Sequence, residues 1–151
     1  MTRADMPMTR RVLVVSPELR LNAAWTIMRK ARFRHLPVVD RGQLLGILSD
    51  RDVLARSVLQ PDGTLDIPDT LVGAAMTPAP YVCSPETSVA DVARAMTELK
   101  FDAVPVVDKA DKLIGLVTST DLLLLLIDLE EAKAPLPFVF ELDSPDAIAV
   151  A

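Results

Sequence analysis

Two short stretches of the 151-residue chain carry residue types at a spacing that chemistry could use: Gly46-Ile47-Leu48-Ser49-Asp50-Arg51-Asp52 and Gly115-Leu116-Val117-Thr118-Ser119-Thr120-Asp121. In each, an apolar run delivers a hydroxyl, and a carboxylate follows three residues later at what reads as the start of a helix. One reading is structural: a capping box, in which hydroxyl and carboxylate satisfy orphan N–H groups of the chain entering the helix. The other uses the same geometry to bind. A carboxylate at a helix start accepts from a ribose diol while the exposed N–H groups attract phosphate. A glycine ahead of the hydroxyl lets the backbone come close to a planar base. The spacing by itself leaves both readings open.

The remaining reactive residues offer little for catalysis. One histidine, His35, and one cysteine, Cys83, give neither a Ser/His/Asp set with a choice of base nor a zinc site, and no glycine loop of phosphate-binding type occurs. Cys83 reads as a small strand hydrophobe without a partner base. His35 reads either as a residue favoured near a helix C-terminus or as a phosphate contact. Arg29, Lys30, Arg32 and Arg34 read as a solvated helix face. The expectation is a binding module, not an enzyme.

The elements that position these residues come in duplicate. Sliding the chain by 68 places lays residues 8–40 on 76–108 without a gap, and 12 of the 33 positions are identical. Met8-Thr9 meets Met76-Thr77, Ser16-Pro17-Glu18 meets Ser84-Pro85-Glu86, and Pro37-Val38-Val39-Asp40 meets Pro105-Val106-Val107-Asp108. After one extra residue, Leu44, Gly46, Asp52 and Leu54 match Leu113, Gly115, Asp121 and Leu123. Each copy reads as strand, helix, strand, strand, helix. Ser88 is a suitable cap for the stripe Val89, Val92, Ala93, Met96, whereas Arg20 is a poor cap for Leu21, Ala24, Trp25, Met28. The β-branched runs 36–39 and 104–107 read as strands, and 44–48 and 113–117 follow as their partners. This divides the chain into a first copy at 8–58, a linker at 59–71, a second copy at 72–128 and an apolar tail at 129–151. Neither half is large enough for an ordinary independent core, so the copies are expected to pack through their apolar sheets and helices.

Tandem copies with Met-Thr near the start, a Pro-Val-Val-Asp strand and a closing Gly-x-x-Ser/Thr-x-x-Asp resemble a pair of cystathionine-β-synthase (CBS) domains, the arrangement called a Bateman module. The resemblance spans roughly residues 8–128. It implies a mixed α/β (α+β) fold: two βαββα copies packed with pseudo-two-fold symmetry, usually dimerised into a disc. It also implies an adenosine-containing regulatory ligand, such as AMP, ADP, ATP, S-adenosylmethionine or, less often, NAD, with no required cofactor or metal. Carried over residue by residue, a first cleft takes Ser49 and Asp52 for the ribose and Ile47 for the base. His35, Arg34 and Arg51 supply its polar contacts, and Thr77, Pro78, Phe101 and Asp102 close it. A second cleft takes Leu116, Thr118 and Asp121, with Thr9, Arg10, Phe33 and Arg34 from across the axis. The copies differ at the phosphate positions: Asp102-Ala103 stands opposite Arg34-His35, and Thr120 opposite Arg51. A carboxylate about 4 Å from a phosphate costs about 1 kcal/mol even in bulk water, so phosphorylated ligands are expected to prefer the first cleft.

Composition sets outer bounds. Half the residues are hydrophobic and a quarter charged, as in compact globular proteins. The longest purely apolar run, Leu122 to Ile127, is too short to cross a bilayer. No secretory leader is apparent and a lone cysteine suits a reducing compartment, so a cytoplasmic location is expected. Net charge is −5, split between residues 1–56, with eleven basic against five acidic residues (+6), and residues 57–151, with five against sixteen (−11). The function expected is a stand-alone sensor that binds an adenosine compound between the copies and signals to a partner protein. The alternatives are a constitutive dimerisation scaffold whose Ser/Thr-x-x-Asp elements are only caps, and a nucleic-acid-associated module using the basic first half, against which the negative total charge counts.

Overall fold

The structure, a computed structural model, describes residues 12–129. The first copy contains α1 (Leu21–Ala31), β1 (His35–Asp40), β2 (Gln43–Ser49) and α2 (Asp50–Arg56). A connecting segment holds β3 (Val58–Leu59), β4 (Leu65–Asp66), α3 (Val72–Ala75) and β5 (Thr77–Pro78). The second copy repeats the first with α4 (Val89–Leu99), β6 (Ala103–Val107), β7 (Leu113–Thr118) and α5 (Ser119–Leu129). The fold is thus mixed α/β with antiparallel strands, as the duplicated pattern requires. The expected opening strand of each copy is reduced to one residue. Val15 bridges Val38 and Cys83 bridges Val106, both in parallel.

Local chemistry sets the element ends. Ser88 Oγ accepts from the Asp91 amide and caps α4, whereas Arg20 gives α1 no side-chain cap. Both helices close on a non-glycine residue in the left-handed region, Arg32 (φ 58°) and Lys100 (φ 62°), where glycine is the usual occupant. The β1–β2 turn needs positive φ at Arg41 and Gly42, as a tight hairpin does. Register shifts fall between Val38 and Val39 and between Val106 and Val107, equivalent places in the two hairpins. Pseudo-symmetry therefore extends to irregularities of the ladder. The linker, read from sequence as loop, carries the short β3–β4 hairpin, which turns at Gly63 (φ 86°).

Each copy has its own buried cluster. Leu21, Ala24, Met28, Leu36, Val38, Leu48 and Val53 form the first, completed by Val72 and Ala75 from beyond the linker. Cys83, Val92, Met96, Val104, Val106 and Val117 form the second. Each fully buried aliphatic side chain contributes about 1.5–3 kcal/mol. The buried residues group by copy, and the first copy finishes its cluster by borrowing from 72–78. The Leu21 amide bonds Thr70 O at 2.8 Å, the Val72 amide bonds Leu19 O at 2.8 Å, and β5 pairs with β2 through Ile47 and Thr77. That pairing explains Gly46. A Cβ there would stand 2.6 Å from Thr77 O, so the glycine makes room for β5. Between the copies, Gln43 bridges Lys112 at the hairpin tips, and two cavities open along the seam. No helix among the described residues is long and apolar enough to cross a membrane.

Candidate functional site

At the end of β2, the Ser49 amide donates to Asp52 Oδ2 at 2.8 Å and the Asp52 amide donates to Ser49 Oγ at 3.1 Å. This is a complete capping box. At the end of β7 the Thr118 amide and hydroxyl donate to Asp121 Oδ2 at 2.8 and 3.0 Å, and the Asp121 amide returns to Thr118 Oγ1 at 3.2 Å. The structural reading of both motifs therefore holds. It does not exhaust Asp52, because a carboxylate has two oxygens and about four acceptor positions. The one bond its carboxylate accepts, from the Ser49 amide, falls on Oδ2, and Oδ1 accepts no hydrogen bond among the described residues.

Two cavities flank the seam. One of about 180 Å³ gathers Arg34, His35, Ile47, Ser49, Arg51, Asp52, Thr77, Phe101 and Asp102, nine of the ten residues assigned to the first cleft from sequence. Pro78 is not among its lining residues. Pro80, Tyr81, Lys100, Asp50 and Ala103 are, and sequence reasoning missed them. Lys100 had a signal: it is the basic counterpart of Arg32, directly before the matched Phe33 and Phe101. Tyr81 had none, because its place depends on stacking against Phe101, with ring centroids 5.6 Å apart. The other cavity, about 250 Å³, is lined by Phe33, Arg34, Leu116 and Thr118 as expected, and also by Val12, Leu13, Arg32, His35, Asp102, Ser119 and Thr120. Asp121 does not line it. Thr9 and Arg10 lie outside the described residues.

The electrostatics differ from the sequence expectation. Asp102, expected to close the first cleft, lines both cavities, and its carboxylate lies 3.8 Å from Arg51 Nη2. Arg34 Nε lies 3.4 Å from Asp50 Oδ2. The first cavity balances Arg34, Arg51 and Lys100 against Asp50, Asp52 and Asp102, while the second has Arg32 and Arg34 against Asp102. Lining charge therefore gives the first cleft no advantage for phosphate. His35 opens β1 instead of ending a helix. Burial holds its imidazole below the ordinary value, with Arg34 acting in the same direction and Asp50, Asp102 and Asp52 opposing. It faces both cavities as a neutral donor or acceptor at pH 7. Burial pushes the Cys83 thiol up to about 11, which leaves it inert near neutrality. Arg29, from the basic cluster, lies over the Trp25 ring at 5.8 Å.

The CBS domain family model matches residues 4–58 and 72–128, one match for each copy of the duplication. The chain is a tandem CBS-domain protein. The chloroplastic CBS domain-containing protein CBSX1 of Arabidopsis thaliana is 30% identical over 129 residues, a match covering 70% of this chain and 55% of that protein, so the CBS pair spans about half the length of this relative. Among solved structures, CBSX2 in complex with AMP superposes with a TM-score of 0.75 at 31% identity, covering 85% of this chain and 98% of that one. The CBS domain pair of MJ0100, solved with 5′-methylthioadenosine and S-adenosyl-L-methionine, superposes with a TM-score of 0.69 at 26% identity, covering 82% and 98%. A Bateman module with two seam cavities is thus the architecture of this protein.

Proposed function

We propose that this CBS pair is a regulatory module that binds an adenosine-containing ligand between its copies and signals to a partner protein. The observation that carries the reading is the cavity where the end of β2 and the first turn of α2 bring Ser49 and Asp52 beside Ile47, faced by Phe101, Tyr81 and Lys100 of the second copy. Ribose hydroxyls donate to Oδ1 without disturbing the cap on Oδ2. The base lies against Ile47 and the aromatic pair, and Arg51, Arg34 and Lys100 serve the phosphate. At about 180 Å³ the cavity is smaller than typical enclosed ligand sites of about 300–1,000 Å³, so a nucleotide projects into the open mouth. A phosphate that recruits Arg51 draws it from Asp102, loosening a link between the copies. Ligand binding then shifts their packing to the extent that affinity differs between the two arrangements. Structures of relatives holding AMP, or methylthioadenosine and S-adenosylmethionine, support this ligand class.

The reading includes a homodimer and a cytoplasmic, non-catalytic role. α5 buries none of its residues, and Leu123, Leu124, Leu126, Ile127 and Leu129 are each more than half exposed. Such a face suits a second copy, as the CBS resemblance implies, and sedimentation equilibrium tests it: a monomer at micromolar concentration removes the dimer. For the ligand, calorimetry with AMP, ADP, ATP, S-adenosylmethionine and adenosine is expected to give saturable binding. Silence from all of them at millimolar concentration removes the sensor and leaves a scaffold.

A further inference from the structure

The two cavities share a wall. Arg34, His35 and Asp102 line both, and Arg34 and Asp102 are the same position of the repeat. We propose that this wall makes the clefts antagonistic toward anionic ligands, so that the module takes one phosphorylated adenosine ligand readily and a second only if that ligand is uncharged. The inference rests on the nucleotide reading above and adds to it a rule for joint occupancy.

Three features of the wall produce the antagonism. Arg34 has one guanidinium for two clefts, and it already lies 3.4 Å from Asp50. His35 adds no compensating cation at neutral pH, since burial lowers its basicity. Asp102 is restrained by Arg51, which lines only the first cavity. A phosphate in the first cleft engages Arg51 and leaves the Asp102 carboxylate uncompensated on the wall of the second. A phosphate in the second cleft holds Arg34 on its own side and withdraws it from the first. Whichever cleft fills first, the next anion meets a more negative wall, and by linkage the penalty is the same in either order. An uncharged adenosine meets no such penalty.

Calorimetric titration with AMP is expected to resolve two steps, the second at least about tenfold weaker, whereas adenosine fills both clefts with little change in ratio between them. Unequal but independent sites would mimic the AMP result, so single-cleft variants separate the two cases. Thr77 and Thr120 are exposed and each lines one cavity; Thr77→Trp occludes the first and Thr120→Trp the second. In the variant that blocks the stronger cleft, the remaining cleft is expected to bind AMP about tenfold tighter than the second step of the unaltered protein. Asp102→Asn, which keeps the backbone bond from the Ser119 amide to Asp102 O, is expected to bring the two AMP steps together. An unchanged affinity in the blocked variant, or two equal AMP steps in the unaltered protein, overturns the antagonism while the nucleotide reading stands. No binding of AMP or adenosine overturns both.

Discussion

Arg51 Nη2 stands 3.8 Å from Asp102 Oδ2, the one ion pair among the described residues that runs from the first copy to the second. Both side chains line the first cleft, so the link between the copies and the proposed ligand contacts are the same atoms. Arg51 is 72% exposed, and exposed pairs contribute about 0–1 kcal/mol. Arg51→Ala is therefore expected to change stability by less than about 1 kcal/mol while reducing the preference for AMP over adenosine roughly tenfold. A preserved preference, measured by calorimetry, separates Arg51 from the phosphate.

Asp52 has two duties on two oxygens. Asp52→Ala removes the capping box, at about 1 kcal/mol, and the Oδ1 acceptor, so denaturant midpoint and adenosine affinity are both expected to fall, the latter at least tenfold. Asp121→Ala removes the equivalent cap but no cavity-lining group, so it is expected to lower stability with a much smaller effect on affinity. Equal binding losses in the two variants would place the effect in the fold.

Lys100 is held at φ 62°, a conformation that costs a non-glycine residue about 1 kcal/mol or more. Lys100→Gly relieves that strain while adding freedom to the unfolded chain, which offsets much of the gain. Thermal stability is expected to stay within about 1 kcal/mol, while AMP affinity drops several-fold and adenosine affinity does not. A parallel loss for both ligands would assign Lys100 to cleft shape instead of charge.

Gly46→Ala forces a Cβ to within 2.6 Å of Thr77 O. Backbone has to move, and overpacking of this kind costs about 1–3 kcal/mol. Chemical denaturation is expected to register that loss, together with weakened binding in the first cleft, because β5 carries Thr77 into its wall. Unchanged stability would mean that β5 detaches from β2 without cost.

His35 supplies a pH dependence whose sign is fixed by its lowered pKa. Well above 6.5 the imidazole is neutral in folded and unfolded chains alike and adds no slope. As pH falls through 6.5, the unfolded chain takes up a proton that the buried ring resists, so stability falls until the folded form also protonates. The Tm is expected to decrease between pH 7 and 5, and His35→Gln to flatten part of that decrease. An identical slope in the variant would assign it to other groups.

What the sequence determined by itself is local. The duplication, the helical stripes, the Ser88 cap, the weak start at Arg20 and the hydroxyl-carboxylate boxes all follow from periodicity and from side chains bonding their own backbone within one turn, and all are found where the spacing puts them. Nine residues of the first cleft were legible through the resemblance to CBS pairs, whose motif the duplicated copies carry. Tertiary structure decided the rest. Residues 72–78 complete the core of the first copy because Val72 and Ala75 fill space its own residues leave, and Gly46 is a glycine because β5 then passes against it. Tyr81 reaches the cleft by stacking on Phe101, and Asp102 lines both cavities. Contacts between the copies join residues far apart in the chain, and neither propensity nor spacing encodes which of two clefts a side chain will face.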